Sequence, residues 1–126
     1  MSDYVLDSSA VLALLFQEKG MELIERILDR SIIGRVNESE ILTKLVARGS
    51  SISEASDELG ELKLAVAELN EIQSRQIAEL HPLTKHLGLS LGDRACLALA
   101  IQENATAVTA DRIWKDLDVC KIEVIR

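Results

Sequence analysis

A chain of 126 residues makes one ordinary domain, long enough to bury a single core and too short for two. Hydrophobic residues make up 48% and aromatics only 2%, which excludes a disordered chain and predicts a core of Leu, Ile, Val and Ala. A formal net charge of −7 excludes broad electrostatic adhesion to nucleic acid or membrane, favours a basic protein partner, and leaves room for a local basic rim.

Tyr4-Val5-Leu6 is a short apolar run that stops at Asp7, which predicts a buried first strand. Ser8 and Ser9 are positioned to cap a helix through Ala10 to Phe16, with a break near Gly20. Met21 to Arg30 predicts a second helix, with Leu23, Ile24, Ile27 and Leu28 on one face. Ser31 to Val36 has the β-branched enrichment of a second strand. Asn37 then opens a third helix, with Ile41, Leu42, Leu45 and Val46 at helical spacing. Ser53 to Leu59 predicts a short helix and Lys63 to Glu68 a third strand. Glu71 to Leu87 is helical in pattern, with a disturbance expected at His81-Pro82, because proline disfavours helical geometry in the residue before it. Ser90 to Glu103 is a strongly apolar helix whose Ala95, Ala98 and Ala100 would admit close backbone neighbours. Ala105 to Thr109 and Lys121 to Ile125 complete the strands. Strands separated by helices imply right-handed crossovers and an α/β fold with a mostly parallel sheet covered on both faces.

No stretch approaches the ~20 apolar residues of a membrane span, and the first residues lack a basic region followed by an apolar one. A cytoplasmic location is the expectation. Cys96 and Cys120 are far apart and outside any CxxC pair, which predicts free thiols. His81 and His86 have no partner at zinc-ligand spacing.

Ligands of open parallel sheets sit beyond the carboxyl ends of the strands. Four acidic residues fall there: Asp7, Glu40, Asp93 and Asp111. Each also has a local explanation. Asn37-x-x-Glu40 and Ser90-x-x-Asp93 resemble capping boxes, and Asp7 and Asp111 suit turns or caps. Convergence of all four would crowd negative charge at low effective dielectric, which calls for a cation. Oxygen-only ligands favour Mg²⁺ or Mn²⁺. Such an ion can activate water and orient a phosphodiester.

The segments Val5 to Ala10, Asn37 to Leu45, Gly88 to Ala100 and Val108 to Trp114 resemble the four signature stretches of PIN-domain proteins, and more narrowly of VapC-type toxins of toxin–antitoxin pairs. The resemblance runs over essentially the whole chain, and Ser90 to Ala100 is its most specific stretch. It implies a single PIN domain over residues 1–126, a three-layer α/β/α sandwich with a sheet of four or five strands. It implies a divalent-metal-dependent endoribonuclease, active as a homodimer-forming toxin that a VapB-like antitoxin holds in check. Asp7, Glu40, Asp93 and Asp111 match the family's acidic, metal-binding positions, and Ser8 and Thr109 match positions that support them by hydrogen bonding. Glu38 competes with Glu40, but the two lie about 200° apart on a helix, so only one can face a pocket. The family register favours Glu40. Asp116 and Asp118 compete with Asp111 from farther beyond the strand end.

Arg94, Arg112, Lys44, Lys85 and Lys115 lie near the acidic segments and are candidates for a rim that meets RNA phosphates, Arg94 first among them. Trp114 suits core packing better than base stacking. The expected reaction is in-line hydrolysis by metal-activated water, leaving a 5′-phosphate and a 3′-hydroxyl, since no histidine pair serves the metal-independent route. Two other readings compete. One is a PIN-like scaffold without catalysis. The other is a phosphoacceptor domain, which the serines after Asp7 disfavour, since a receiver domain expects an acidic pair and a haloacid-type phosphatase a second aspartate at Ser9.

Overall fold

The computed structural model describes residues 2–126; Met1, the first residue of the expected domain, lies outside them. In chain order the elements are β1 (Tyr4–Leu6), α1 (Ser8–Leu15), α2 (Met21–Ile27), β2 (Ser31–Gly34), α3 (Arg35–Ala47), α4 (Ile52–Gly60), β3 (Ala65–Ala67), α5 (Glu71–Thr84), α6 (Leu91–Glu103), β4 (Thr106–Thr109) and β5 (Ile122–Val124). Three short 3₁₀ helices, Leu28–Arg30, Lys85–Leu87 and Arg112–Asp116, join them.

The five strands form one sheet in the order β3-β2-β1-β4-β5, and every pairing is parallel. Consecutive residues of a strand point to opposite faces, and the apolar residues follow that rule. Val5, Ile32 and Ala107 belong to a core shared with Ile77 and Leu80 of α5 and Leu97 and Leu99 of α6. Their neighbours Leu6, Ile33 and Val108 belong to a second core with residues of α1, α2, α3 and α4. Two cores on the two faces of one sheet make a three-layer α/β/α sandwich. Each fully buried Leu, Ile or Val contributes about 1.5–3 kcal/mol of transfer free energy. The small residues Ala95, Cys96, Ala98 and Ala100 of α6 are buried, which allows this helix to lie close against the sheet.

Several expectations are corrected in detail. Asp7, not Ser8 or Ser9, occupies the N-cap position of α1, and the two serine side chains are used elsewhere. Strand β2 stops at Gly34, and α3 starts at Arg35, two residues before Asn37. Asn37 therefore lies inside the first turn and caps nothing. The helix from Met21 tightens to 3₁₀ geometry at Leu28. Helix α5 runs through Pro82 to Thr84 and tightens only at Lys85. Proline leaves the carbonyl four residues back, Ala78, without its usual N–H partner, but Ala78 and Pro82 are both exposed, so that end of the carbonyl faces the solvent side of the helix. Trp114 is fully buried in the α5–α6 core, and Cys96 and Cys120 are free thiols. No helix among the described residues is long and apolar enough to cross a membrane.

Candidate metal centre and cleft

β1 lies at the middle of the sheet, with β2 on one side and β4 on the other. The chain goes from β1 to one side and returns on the other, so the carboxyl ends of β1 and β4 flank a switch in strand order. Asp7 follows β1 directly, and its backbone N–H still donates to the Val108 carbonyl of β4 at 2.8 Å. Its side chain is 3% exposed. Asp7 Oδ2 accepts from Ser9 Oγ at 2.6 Å and from Thr109 Oγ1 at 3.1 Å. Asp7 Oδ1 is buried and has no hydrogen-bond partner. Burial pushes the Asp7 carboxyl up to about 6 from its ordinary 3.8; the two hydroxyl donors oppose the rise, and the negative charges of Asp93 and Glu40 add to it.

Glu40 sits one turn into α3. Its Oε1 accepts from Ser8 Oγ and from Asn37 Nδ2, both at 2.9 Å. Asn37 Nδ2 also donates to the Gly92 carbonyl of α6 at 3.1 Å. Gly92 is where Glu40 passes α6: a Cβ there would stand 2.0 Å from Glu40 Oε2. Glu38 pairs with Arg35 at 2.8 Å and does not line the cleft beside Glu40.

Asp93 stands in the first turn of α6, and the local reading of it is realised in full. Ser90 Oγ accepts from the Asp93 N–H at 3.2 Å, and Asp93 Oδ2 accepts from the Ser90 N–H at 2.9 Å, a complete capping box. Capping does not remove it from the site, since its charge reaches Asp7. Asp111 is tied in through its backbone, whose N–H donates to Thr109 Oγ1 at 3.1 Å, while its Oδ1 accepts from the Ile113 N–H and caps the following 3₁₀ helix. Asp116 and Asp118 are exposed on the far side of Trp114 in sequence.

The structure thus gathers Asp7, Glu40 and Asp93 into one electrostatic neighbourhood and attaches Asp111 to it through Thr109. Among the described residues, no three His, Cys, Asp or Glu side chains stand close enough together, as placed, to hold a metal ion. The chemistry of the donors still suits a hard divalent cation: the set is all oxygen, and the buried Asp7 Oδ1 lacks a positive partner.

Beside them opens a cleft of about 940 Å³, lined by Ser8, Ser9, Glu40, Ser90 and Gly92 and walled by the aliphatic Leu12, Val36, Leu69 and Leu91. Two cations border it, Lys44 and Arg35. Lys44 was expected from the sequence. Arg35 was missed; its signal is its place as the first helical residue after β2, at the carboxyl edge of the sheet. Its guanidinium is paired to Glu68 as well as to Glu38. Arg94, the first choice for a phosphate contact, is turned to α5: Nη1 donates to the Ile77 carbonyl at 2.9 Å, and Nε is buried. Its role here is to join two helices. Arg112 donates from Nε to the Arg126 carbonyl at 3.0 Å, and Lys85 and Lys115 are exposed on 3₁₀ helices; none of these three lines the cleft. Ser9, Asn37 and Gly92 were also missed as site residues.

Residues 4–119 match the family profile of the PIN domain. No curated protein matches the chain. Among solved structures, the fold is similar to that of VapBC2 from Rickettsia felis bound to a DNA fragment from their promoter, with a TM-score of 0.76, 18% identity and 98% of each chain covered. It is similar to DNA-bound VapBC from Salmonella typhimurium at a TM-score of 0.74 and 15% identity, covering 100% of each chain. It is also similar to VapBC-5 from Mycobacterium tuberculosis, a member of the VapBC family of toxin–antitoxin systems, at a TM-score of 0.68, 20% identity and 98% of each chain. Identities this low establish a shared fold.

Proposed function

The chain belongs to the PIN-domain family, and on that premise we propose that it is a divalent-metal-dependent endoribonuclease serving as the toxin of a toxin–antitoxin pair. The observation that carries this reading is Asp7: a buried carboxylate at the central strand end, with one oxygen unpartnered and two further acidic groups raising its proton affinity. A group so placed gains most from a cation, because the cation offsets both desolvation and repulsion.

Asp7, Glu40, Asp93 and Asp111 would hold Mg²⁺ or Mn²⁺. When bound, the ion supplies Lewis-acid polarisation of a phosphodiester and lowers the pKa of water. The chain's own residues do the rest. Ser9 and Thr109 fix Asp7 Oδ2, which leaves Oδ1 as its free oxygen. Ser8 and Asn37 fix Glu40 Oε1. Lys44 offers positive charge along a cleft that otherwise belongs to a chain of −7, so it favours entry of a phosphate backbone there, while the Arg35 charge beside it is shared with Glu38 and Glu68. RNA is the proposed substrate, cut to 5′-phosphate and 3′-hydroxyl ends.

A basic, VapB-like antitoxin is the proposed partner; the similarity to VapBC structures and the acidic net charge support it. A homodimer in the cytoplasm completes the reading. The test is incubation of purified protein with RNA and Mg²⁺ or Mn²⁺. Cleavage is expected to stop in EDTA and in Asp7→Asn and Asp93→Asn. Cleavage that persists in EDTA or in those variants overturns the reading.

A further inference from the structure

We infer that Asn37 is a positioning residue for the Glu40 carboxylate, locking it between α3 and the first turn of α6; this rests on the functional reading above. Asn37 is 0% exposed. A buried amide is unfavourable unless its hydrogen bonds are used, and an apolar side chain would fill the same place with less penalty. Both uses of its nitrogen are specific. Nδ2 donates to Glu40 Oε1 at 2.9 Å on its own helix and to the Gly92 carbonyl at 3.1 Å on α6.

The orientation of the amide follows from its partners. Both are acceptors, so only the nitrogen can face them. The Oδ1 end is then driven into the interior, where it has no partner. A buried unmatched oxygen is tolerated here because turning the amide would unmatch Glu40 and Gly92 together. Glu40 gains a fixed position from this arrangement. Ser8 Oγ and Asn37 Nδ2 converge on Oε1, while Oε2 lies against Gly92, where any side chain would collide. A glutamate has three torsions to lose, and a charge-assisted amide bond confines them before any ligand arrives. Asn37 itself need touch neither ion nor RNA; it acts through Glu40.

The test uses the full chain as Asn37→Leu, which keeps the γ-branched shape at a larger volume and removes the donors, and Asn37→Ser, which keeps one hydroxyl donor too short to bridge both acceptors. Mn²⁺ affinity is measured by calorimetry at a temperature where circular dichroism shows each variant folded. Gly20→Ala, at the start of α2, serves as a destabilised control distant in sequence from the four carboxylates. The dissociation constant is expected to rise roughly 10-fold or more in Asn37→Leu, by a smaller factor in Asn37→Ser, and not at all in the control. If Asn37→Leu fails to fold, Asn37→Ser decides. Binding by the folded Asn37 variants as tight as wild type, or weakening in the control as well, overturns the positioning role. Wild-type protein that binds no Mn²⁺ overturns the nuclease reading itself.

Discussion

Replacing Asp7 by Asn should stabilise the metal-free protein at neutral pH. The carboxyl titrates near 6 in the folded chain against an ordinary 3.8, a shift worth about 3 kcal/mol at 1.36 kcal/mol per unit. A raised pKa means that the folded state holds its proton more tightly than the unfolded chain. Below about pH 4 both states are protonated, and the folded state has no penalty from this group. As pH rises through 4 to 6 the unfolded chain ionises first, and stability falls until the folded carboxyl has ionised too. Asn is neutral throughout, so it escapes that loss. Its carbonyl can accept from Ser9 and Thr109 in place of Oδ2, and its amide nitrogen takes the place of an oxygen that already lacks a partner. An unmatched amide nitrogen takes back at least about 1 kcal/mol of the gain, which leaves at most about 2 kcal/mol. For a domain of 126 residues, an unfolding entropy of about 2.1 cal/mol/K per residue converts that upper figure to a rise of roughly 8 °C in Tm. Scanning calorimetry in EDTA at pH 7 and pH 4 measures it: the two proteins should separate at pH 7 and converge at pH 4. Added Mn²⁺ should raise the wild-type Tm and leave the Asn variant unmoved. An Asn variant no more stable than wild type at pH 7 would refute the claim that burial of this charge opposes folding.

Gly92→Ala tests the space that Glu40 occupies. The new Cβ would lie 2.0 Å from Oε2 and 2.3 Å from Cδ, so the glutamate must leave, while alanine favours the helix by about 1 kcal/mol over glycine. The expected outcome is an unchanged or higher Tm with RNA cleavage down at least ~10-fold, the loss of about 1.4 kcal/mol of transition-state stabilisation. Gly20→Ala should do the reverse. Gly20 has φ of 100°, and a Cβ would stand 2.8 Å from the Ile125 carbonyl oxygen, so a loss of about 1–3 kcal/mol is expected in denaturant titration, with activity per folded molecule retained.

What could be read from the sequence was what short range decides. Tyr4 to Leu6 ended at Asp7 by composition alone, and Ser90-x-x-Asp93 announced a capping box that the structure contains. The same reasoning misled at Asn37-x-x-Glu40, because the spacing is identical but the helix begins two residues earlier. A local pattern specifies a cap only if the chain is still extended before it, and Gly34 had already ended the strand. Arg94 failed for a related reason. Adjacency to Asp93 says nothing of direction, and successive helical residues point about 100° apart, here toward Ile77. Gly92 could not be read at all, since its lack of a side chain matters only against a glutamate 52 positions earlier (92 − 40). Glu38 and Glu40 point apart as helical geometry requires, whereas the place of Arg35 beside the cleft depends on tertiary packing.

The bond from Thr109 to Asp7 spans 102 positions, and the strands carrying them are direct neighbours in the sheet. During synthesis the first strand emerges without the partner that holds its aspartate, and long-range pairing of this kind forms late. A growing chain therefore carries its acidic residues unassembled through most of translation. For a protein proposed to cut RNA, the acidic site would then be complete only after β4 has joined β1.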